Sequence, residues 1–168
     1  MEINVQDFSG KFEVRRLQEK DIEEIHELCL GNPVYYEHMK SPVSADSIRE
    51  DMKALPPGVE WEDKFYIGHY QDGKLVAVTD LILGYPDLQT AWIGFFMMNR
   101  KLQGRGIGSG IVADMLNYIK SAGFMYAGLG YVKGNNQSGS FWRKNGFVPT
   151  GAERENGDYT VVVMRREL

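Results

Sequence analysis

The sequence predicts an α/β fold, a mixed α+β sheet with helices on both faces, in the order β-α-α-β-β-β-α-β-α-β-β. Three observations predict it. Ile107, Ile111, Val112, Met115 and Ile119 recur at helical spacing. Short apolar, aromatic-rich runs such as residues 90–98 read as strands and alternate with helical segments. Between that run and that helix lies Arg100-Lys101-Leu102-Gln103-Gly104-Arg105-Gly106-Ile107-Gly108-Ser109-Gly110, a glycine-rich turn from strand to helix.

Each element follows from local chemistry. Residues 12–17 form a short strand. Residues 21–30 form a helix capped by Asp21 and stopped by Gly31. Residues 32–42 read as a loop holding Tyr35, Tyr36, Glu37 and His38. Ser44, or alternatively Ser47, caps a second helix that ends near Leu55 before Pro56-Pro57-Gly58. Residues 65–70 and 74–83 are strands joined by Gln71-Asp72-Gly73, a hairpin signal. Gly84-Tyr85-Pro86-Asp87 turns the chain into the strand at 90–98. After the glycine-rich turn comes the helix ended by Gly123, then a strand at 124–132 and a helix at 136–144. Strands at 148–154 and 159–165 close the order as a hairpin around Asn156-Gly157. No repeat or low-complexity linker interrupts the chain, so residues 1–168 are expected to form one domain.

Composition narrows the function. Hydrophobic content of 43% and charged content of 25% are ordinary for a globular protein. No apolar run approaches the ~18 residues a membrane helix needs, and the polar start Met1-Glu2-Ile3-Asn4 is unlike a signal peptide. A cytoplasmic protein without a membrane partner is expected. Cys29 is the only cysteine and sits among Ile22, Ile25 and Leu28, where it reads as a core thiol. Three separated histidines show no metal-ligand spacing, and His26 and His69 read as surface residues of a helix and a strand. The net charge of −4 argues against nucleic-acid binding. That charge is uneven: residues 1–63 carry 15 acidic and 7 basic side chains, residues 64–168 carry 8 and 12. A basic second half suits a polyanionic ligand beside Arg100, Lys101, Arg105, Arg143 and Lys144. An acidic first half suits a cationic one, or is two solvated Glu-rich helices.

The glycine-rich turn is the most specific signal. Glycines let the backbone approach a ligand closely, and the first-turn amides and dipole of the helix favour negative charge. A Walker A loop would need a Gly-Lys-Ser/Thr ending, which is absent. A Rossmann site would need an acidic residue about 20 positions on, and residues 124–134 contain neither Asp nor Glu. The spacing Gln103-x-x-Gly106-x-Gly108 instead resembles the acyl-CoA pyrophosphate loop of the GNAT acetyltransferase superfamily. The later run from Asn135 to Phe147 is similar to the same superfamily's last helix, with Asn135, Ser138, Lys144, Gly146 and Phe147 in register.

The resemblance implies transfer of an acetyl group from acetyl-CoA to the amine of a small molecule or peptide, without a metal. It places the pyrophosphate on amides from Gln103, Gly104, Arg105, Gly106, Ile107, Gly108 and Ser109. It places pantetheine along the backbones of Met97, Met98 and Asn99, with a thioester-polarising N–H near Met97 and with Asn135 reaching the arm. Ser138, Trp142 and Lys144 join the cofactor site. The usual acid and base positions depart from the pattern: Trp92 stands where many members carry a Glu base, and Trp142 where many carry a Tyr acid. Neither indole exchanges a proton. Asp80, among Val78, Thr79, Leu81 and Ile82, is the substitute base, unless it faces solvent or a loop. Tyr131 is the substitute acid, unless it is a packed strand tyrosine. Tyr35, Tyr36, Glu37 and Trp92 are expected at the acceptor. The two tryptophans also keep open a non-catalytic acyl-CoA-binding sensor or interaction module. A second copy of the chain is the expected partner of the strand from Tyr159 to Met164, giving a homodimer.

Overall fold

The structure, a computed structural model, describes residues 2–168. Seven strands form one sheet: β1 (Glu13–Arg16), β2 (Lys64–Gln71), β3 (Lys74–Leu83), β4 (Thr90–Met98), β5 (Tyr126–Val132), β6 (Val148–Asn156) and β7 (Tyr159–Glu167). Their spatial order is β1-β2-β3-β4-β5-β7-β6. Only β4 and β5 run parallel, as the intervening crossover helix requires. The helices are α1 (Ile22–Leu30), α2 (Pro33–Met39), α3 (Ala45–Lys53), α4 (Ile107–Ser121) and α5 (Asn136–Lys144). The mixed sheet with helices on both faces is therefore the observed fold.

Alternation along the strands splits the core. Phe65, Ile67, Leu81, Leu83 and Ile93 face Val112, Met115, Leu116 and Ile119 of α4. On the other face Tyr66, Tyr70, Val78 and Met97 pack on Ile22, Ile25 and Cys29 of α1 and Ile48 of α3. Ser44 caps α3, and its side chain and that of Ser47 each accept the other residue's backbone N–H. No helix among the described residues is long and apolar enough to cross a membrane.

Four local expectations change. The stretch expected as a loop contains α2, because Pro33 at its first turn fixes a helical φ and Lys40 closes it at φ 54°. Asp21 does not cap α1: Arg15 and the Gln18 N–H hold its carboxylate at 3.0 and 2.7 Å. The strand β7 lies between β5 and β6, so its backbone is paired on both sides and cannot add a second copy; the free edge belongs to β6. His69 is not a surface residue. It is fully buried, its two ring nitrogens lack hydrogen-bond partners, and burial lowers its pKa to about 4.

That burial has a pH signature. The unfolded chain takes up a proton near 6.5 while folded His69 resists to about 4, so stability is lost as pH falls through this window. Between pH 7 and pH 5 the loss attributable to this group is about 2 kcal/mol. Urea unfolding at both pH values should show it in the native protein but not in His69→Leu.

Candidate active site

The strands β4 and β5 share a ladder over only Thr90 to Ile93 and Tyr126 to Leu129. Beyond that point β4 keeps pairing with β3 and β5 with β7, but not with each other. The separation begins at Gly94, an extra residue in β4: Leu81 faces Ile93, while the preceding Asp80 faces Phe95. Such a bulge bends and twists the strand that carries it. The Asn99 N–H donates to the Val76 carbonyl at 2.8 Å. Because strand amides alternate in direction, Met97 also turns its main chain toward β3. The groups facing the gap are therefore those of Phe96 and Met98, one residue away from the expected Met97 and Asn99. The Met98 carbonyl already accepts from the Asn32 and Gln103 side chains at 3.0 and 3.2 Å.

A cleft of about 440 Å³ opens on one side of this gap. Its lining includes Met97, Met98, Gln103, Gly104, Gly106, Gly108 and Ser109, and from the later helix Asn135, Ser138, Trp142 and Lys144. Asn99, Arg105 and Ile107 do not line it. Gly106 precedes α4 at φ 76°, a conformation that disfavours any residue with a side chain, and no side chain caps the helix. The first-turn amides of Ile107, Gly108 and Ser109 have no acceptor within the helix. Arg100 and Lys144 add positive charge to the same cleft. The buried Asn135 spends its side chain on the Ser138 N–H, at the start of α5.

A second cavity of about 220 Å³ lies between the separated strands. Tyr35, Phe96, Ser138 and Trp142 line both cavities, so the two meet across β4. Trp92 and Tyr131 line the second cavity, joined by Phe95 and Tyr159. Tyr36 and Glu37 do not; they face a third cavity on the far side of α2. The Trp92 indole lies against β5, where a Cβ at Gly128 would stand 2.9 Å from its ring and one at Gly130 would strike Val161. The Tyr131 hydroxyl accepts from Arg143 at 3.3 Å.

Behind the second cavity sits a buried ion pair. The Lys64 ammonium bonds both Asp80 carboxylate oxygens at 3.0 Å, and both residues are buried. Asp80 thus faces neither solvent nor a loop. A Cβ at Gly94 would lie 2.9 Å from Asp80 Oδ2, so the carboxylate fills the place of the side chain that residue 94 lacks. Burial pushes the Asp80 carboxyl up to about 6, with Lys64 opposing the rise.

Residues 21–147 match the sequence model of the acetyltransferase (GNAT) family. The chain belongs to the GNAT acetyltransferase family. Solved structures agree on the fold. An acetyltransferase from Thermus thermophilus superposes with a TM-score of 0.75 at 17% identity, covering 94% of this chain and 97% of that one. An acetyltransferase from Salmonella typhimurium that modifies the N-terminal serine of ribosomal protein L7/L12 gives 0.72 at 20% identity, covering 96% and 97%. The PaiA N-acetyltransferase of Thermoplasma acidophilum, in complex with coenzyme A, gives 0.67 at 17% identity, covering 94% and 99%. No curated protein sequence matches the chain.

The cleft of this GNAT protein fits the cofactor its family implies. Uncapped helix amides and two cations suit a pyrophosphate, and the unpaired edge of β4 suits an amide-bearing arm. Among the described residues no group of three or more His, Cys, Asp or Glu side chains could share a metal ion. Sequence reasoning missed Lys64, Asn32, Phe95 and Tyr159. Lys64 carried no signal beyond a charge at a strand start, whereas Asn32-Pro33 was a readable helix start.

Substituting Gly106 tests the cradle. Gly106→Val forces a β-branched residue toward φ 76° at a cost of about 1–2 kcal/mol, or relaxes the turn that presents the amides. Calorimetric titration should show coenzyme A binding weakened about tenfold or more.

Proposed function

We propose that the protein is an N-acetyltransferase that moves the acetyl group of acetyl-CoA directly to the primary amine of a small molecule or peptide. The observation that carries the reading is the meeting of two cavities across the unpaired edge of β4, one suited to a polyanion and one walled by aromatic rings. Family membership and the coenzyme A complex of the Thermoplasma relative support the first. The Salmonella relative, named for acting on an N-terminal serine, supports an amine as acceptor. A non-catalytic acyl-CoA sensor would have no use for the second cavity.

Bound acetyl-CoA supplies the acyl group as a thioester. On this reading the amides of Ile107, Gly108 and Ser109 hold the pyrophosphate, with Arg100 and Lys144 beside it. The N–H groups of Phe96 and Met98 bind the pantetheine arm and offer a hydrogen bond to charge that develops on the carbonyl oxygen. The neutral amine attacks: transfer forms a C–N bond, breaks the C–S bond and releases one N–H proton from the nitrogen that has become positively charged. Asp80 is the group that takes it, directly or through water at Gly94, and Lys64 is the positioning residue that keeps the carboxylate there and ionised. Tyr131, fixed by Arg143, is the donor proposed to return a proton to the thiolate.

Asp80 is a base only when ionised, so the rate should rise as pH increases through about 6. Asp80→Asn should lower kcat by about 10²-fold or more and remove that inflection. Lys64→Met should move the inflection to higher pH, because Lys64 lowers the Asp80 pKa. Thiol release from acetyl-CoA across pH 5–9 measures all three.

A further inference from the structure

The second cavity is unusual in what its wall lacks. Fifteen residues line it and none carries a carboxylate, ammonium or guanidinium. Its polar side chains are phenols, two indoles and the Ser138 hydroxyl. Trp92, Phe95, Tyr131, Trp142, Tyr35 and Tyr159 bring aromatic rings to it. Two acids stand behind the lining: Asp80, behind Gly94 and paired with Lys64, and Asp51 of α3, whose charge is felt at Tyr35 and Tyr159. At about 220 Å³ the space is smaller than the ~300–1,000 Å³ typical of pockets for drug-sized ligands.

The charge nearest the Trp92 ring is also positive. Arg154, which does not line the cavity, holds its guanidinium carbon 5.7 Å from the centre of that ring and donates to the Tyr85 hydroxyl at 3.3 Å. Among the described residues Arg154 makes no ion pair. A polycation would find no carboxylate in the lining to pair with its second ammonium, and a positive charge beside Trp92. A single amine on an aromatic body meets neither problem. Its ring can pack edge-to-face or offset against the tryptophan and tyrosine rings, and its ammonium is attracted by their faces until the proton leaves. Loss of water around that ammonium also favours the neutral amine, the form that attacks.

We infer that the acceptor is a compact primary arylalkylamine, bound with its ring in the cavity lined by Trp92, Phe95 and Tyr159 and its nitrogen at Gly94. This rests on the transferase reading above and narrows it. It sets aside polyamines and aminoglycosides, whose additional ammonium groups find no partner. It also sets aside peptide ends, which extend beyond what a space of about 220 Å³ encloses.

The test is initial-rate thiol release from acetyl-CoA with 2-phenylethylamine, spermidine, kanamycin and a serine-initiated tetrapeptide, beside tryptophan-fluorescence titration of the coenzyme A complex with 2-phenylethylamine. The expected kcat/KM for 2-phenylethylamine exceeds that of each other acceptor at least tenfold. In Trp92→Ala it falls at least tenfold while the KM for acetyl-CoA changes less than twofold, since Trp92 does not line the cofactor cleft. Preference for spermidine, kanamycin or the peptide would overturn the arylalkylamine assignment and leave the transferase reading intact. Saturable fluorescence binding of 2-phenylethylamine with no thiol release from any amine would overturn the transferase reading instead, and failure of both would overturn both.

Discussion

Past Ile93 and Leu129 the parallel strands β4 and β5 stop exchanging hydrogen bonds, and the geometry of the site follows from that loss. Buried backbone groups are expensive to leave unpaired, so an opened ladder inside a sheet needs something to fill it. Part of the filling comes from the protein. Phe96 stacks on Phe141 with ring centroids 5.7 Å apart and meets Trp142 at 5.8 Å, so the gap is braced by aromatic rings from α5. The remaining edge of β4 and the uncapped start of α4 face one cleft together, and a ligand bearing both amides and phosphates would satisfy both.

The bulge at Gly94 turns the same opening toward chemistry. A residue without a side chain at that point leaves a hole on the α1 and α3 face, and the neighbouring strand fills it with Asp80. A buried carboxylate is tolerated because Lys64 neutralises it, although such a pair is costly to desolvate and weak evidence for stability. On the proposed function, burial serves to raise the carboxyl into the range where it can accept and give up a proton. Trp92 is accommodated by a second absence of side chains, at Gly128 and Gly130, which gives the indole a flat bed on β5. The position that often holds a base in the family therefore holds a wall here, and the carboxylate that the proposed function uses as the base stands one strand away.

Much of this could be read before the structure. The strands at 74–83 and 90–98 and the helix at 136–144 are found with the bounds their periodicity implies, because each is flanked by unambiguous turn chemistry. The cradle was legible because glycine spacing is a backbone requirement, and backbone requirements are written locally. What could not be read depends on strand register. Asp80 against Gly94 and the choice of Phe96 and Met98 over Met97 follow from one extra residue in β4, and a bulge leaves no mark in composition; Lys64 against Asp80 follows from the β2–β3 register. His69 looked exposed because its strand neighbours include a glycine and a tyrosine; only the pairing of β2 between β1 and β3, under Phe12, encloses it. The paired state of β7 is likewise a matter of sheet order.

The central claim is that the unpaired edge of β4 and the first turn of α4 act as one binding surface. Amide-resolved hydrogen exchange with and without saturating acetyl-CoA tests it directly. The account predicts at least tenfold slower exchange at Phe96, Met98, Ile107, Gly108 and Ser109 on binding, with little change at the amides of β7 that already pair with β5. Binding that left the Phe96 and Met98 amides exchanging at their original rates, while protecting groups elsewhere, would contradict it.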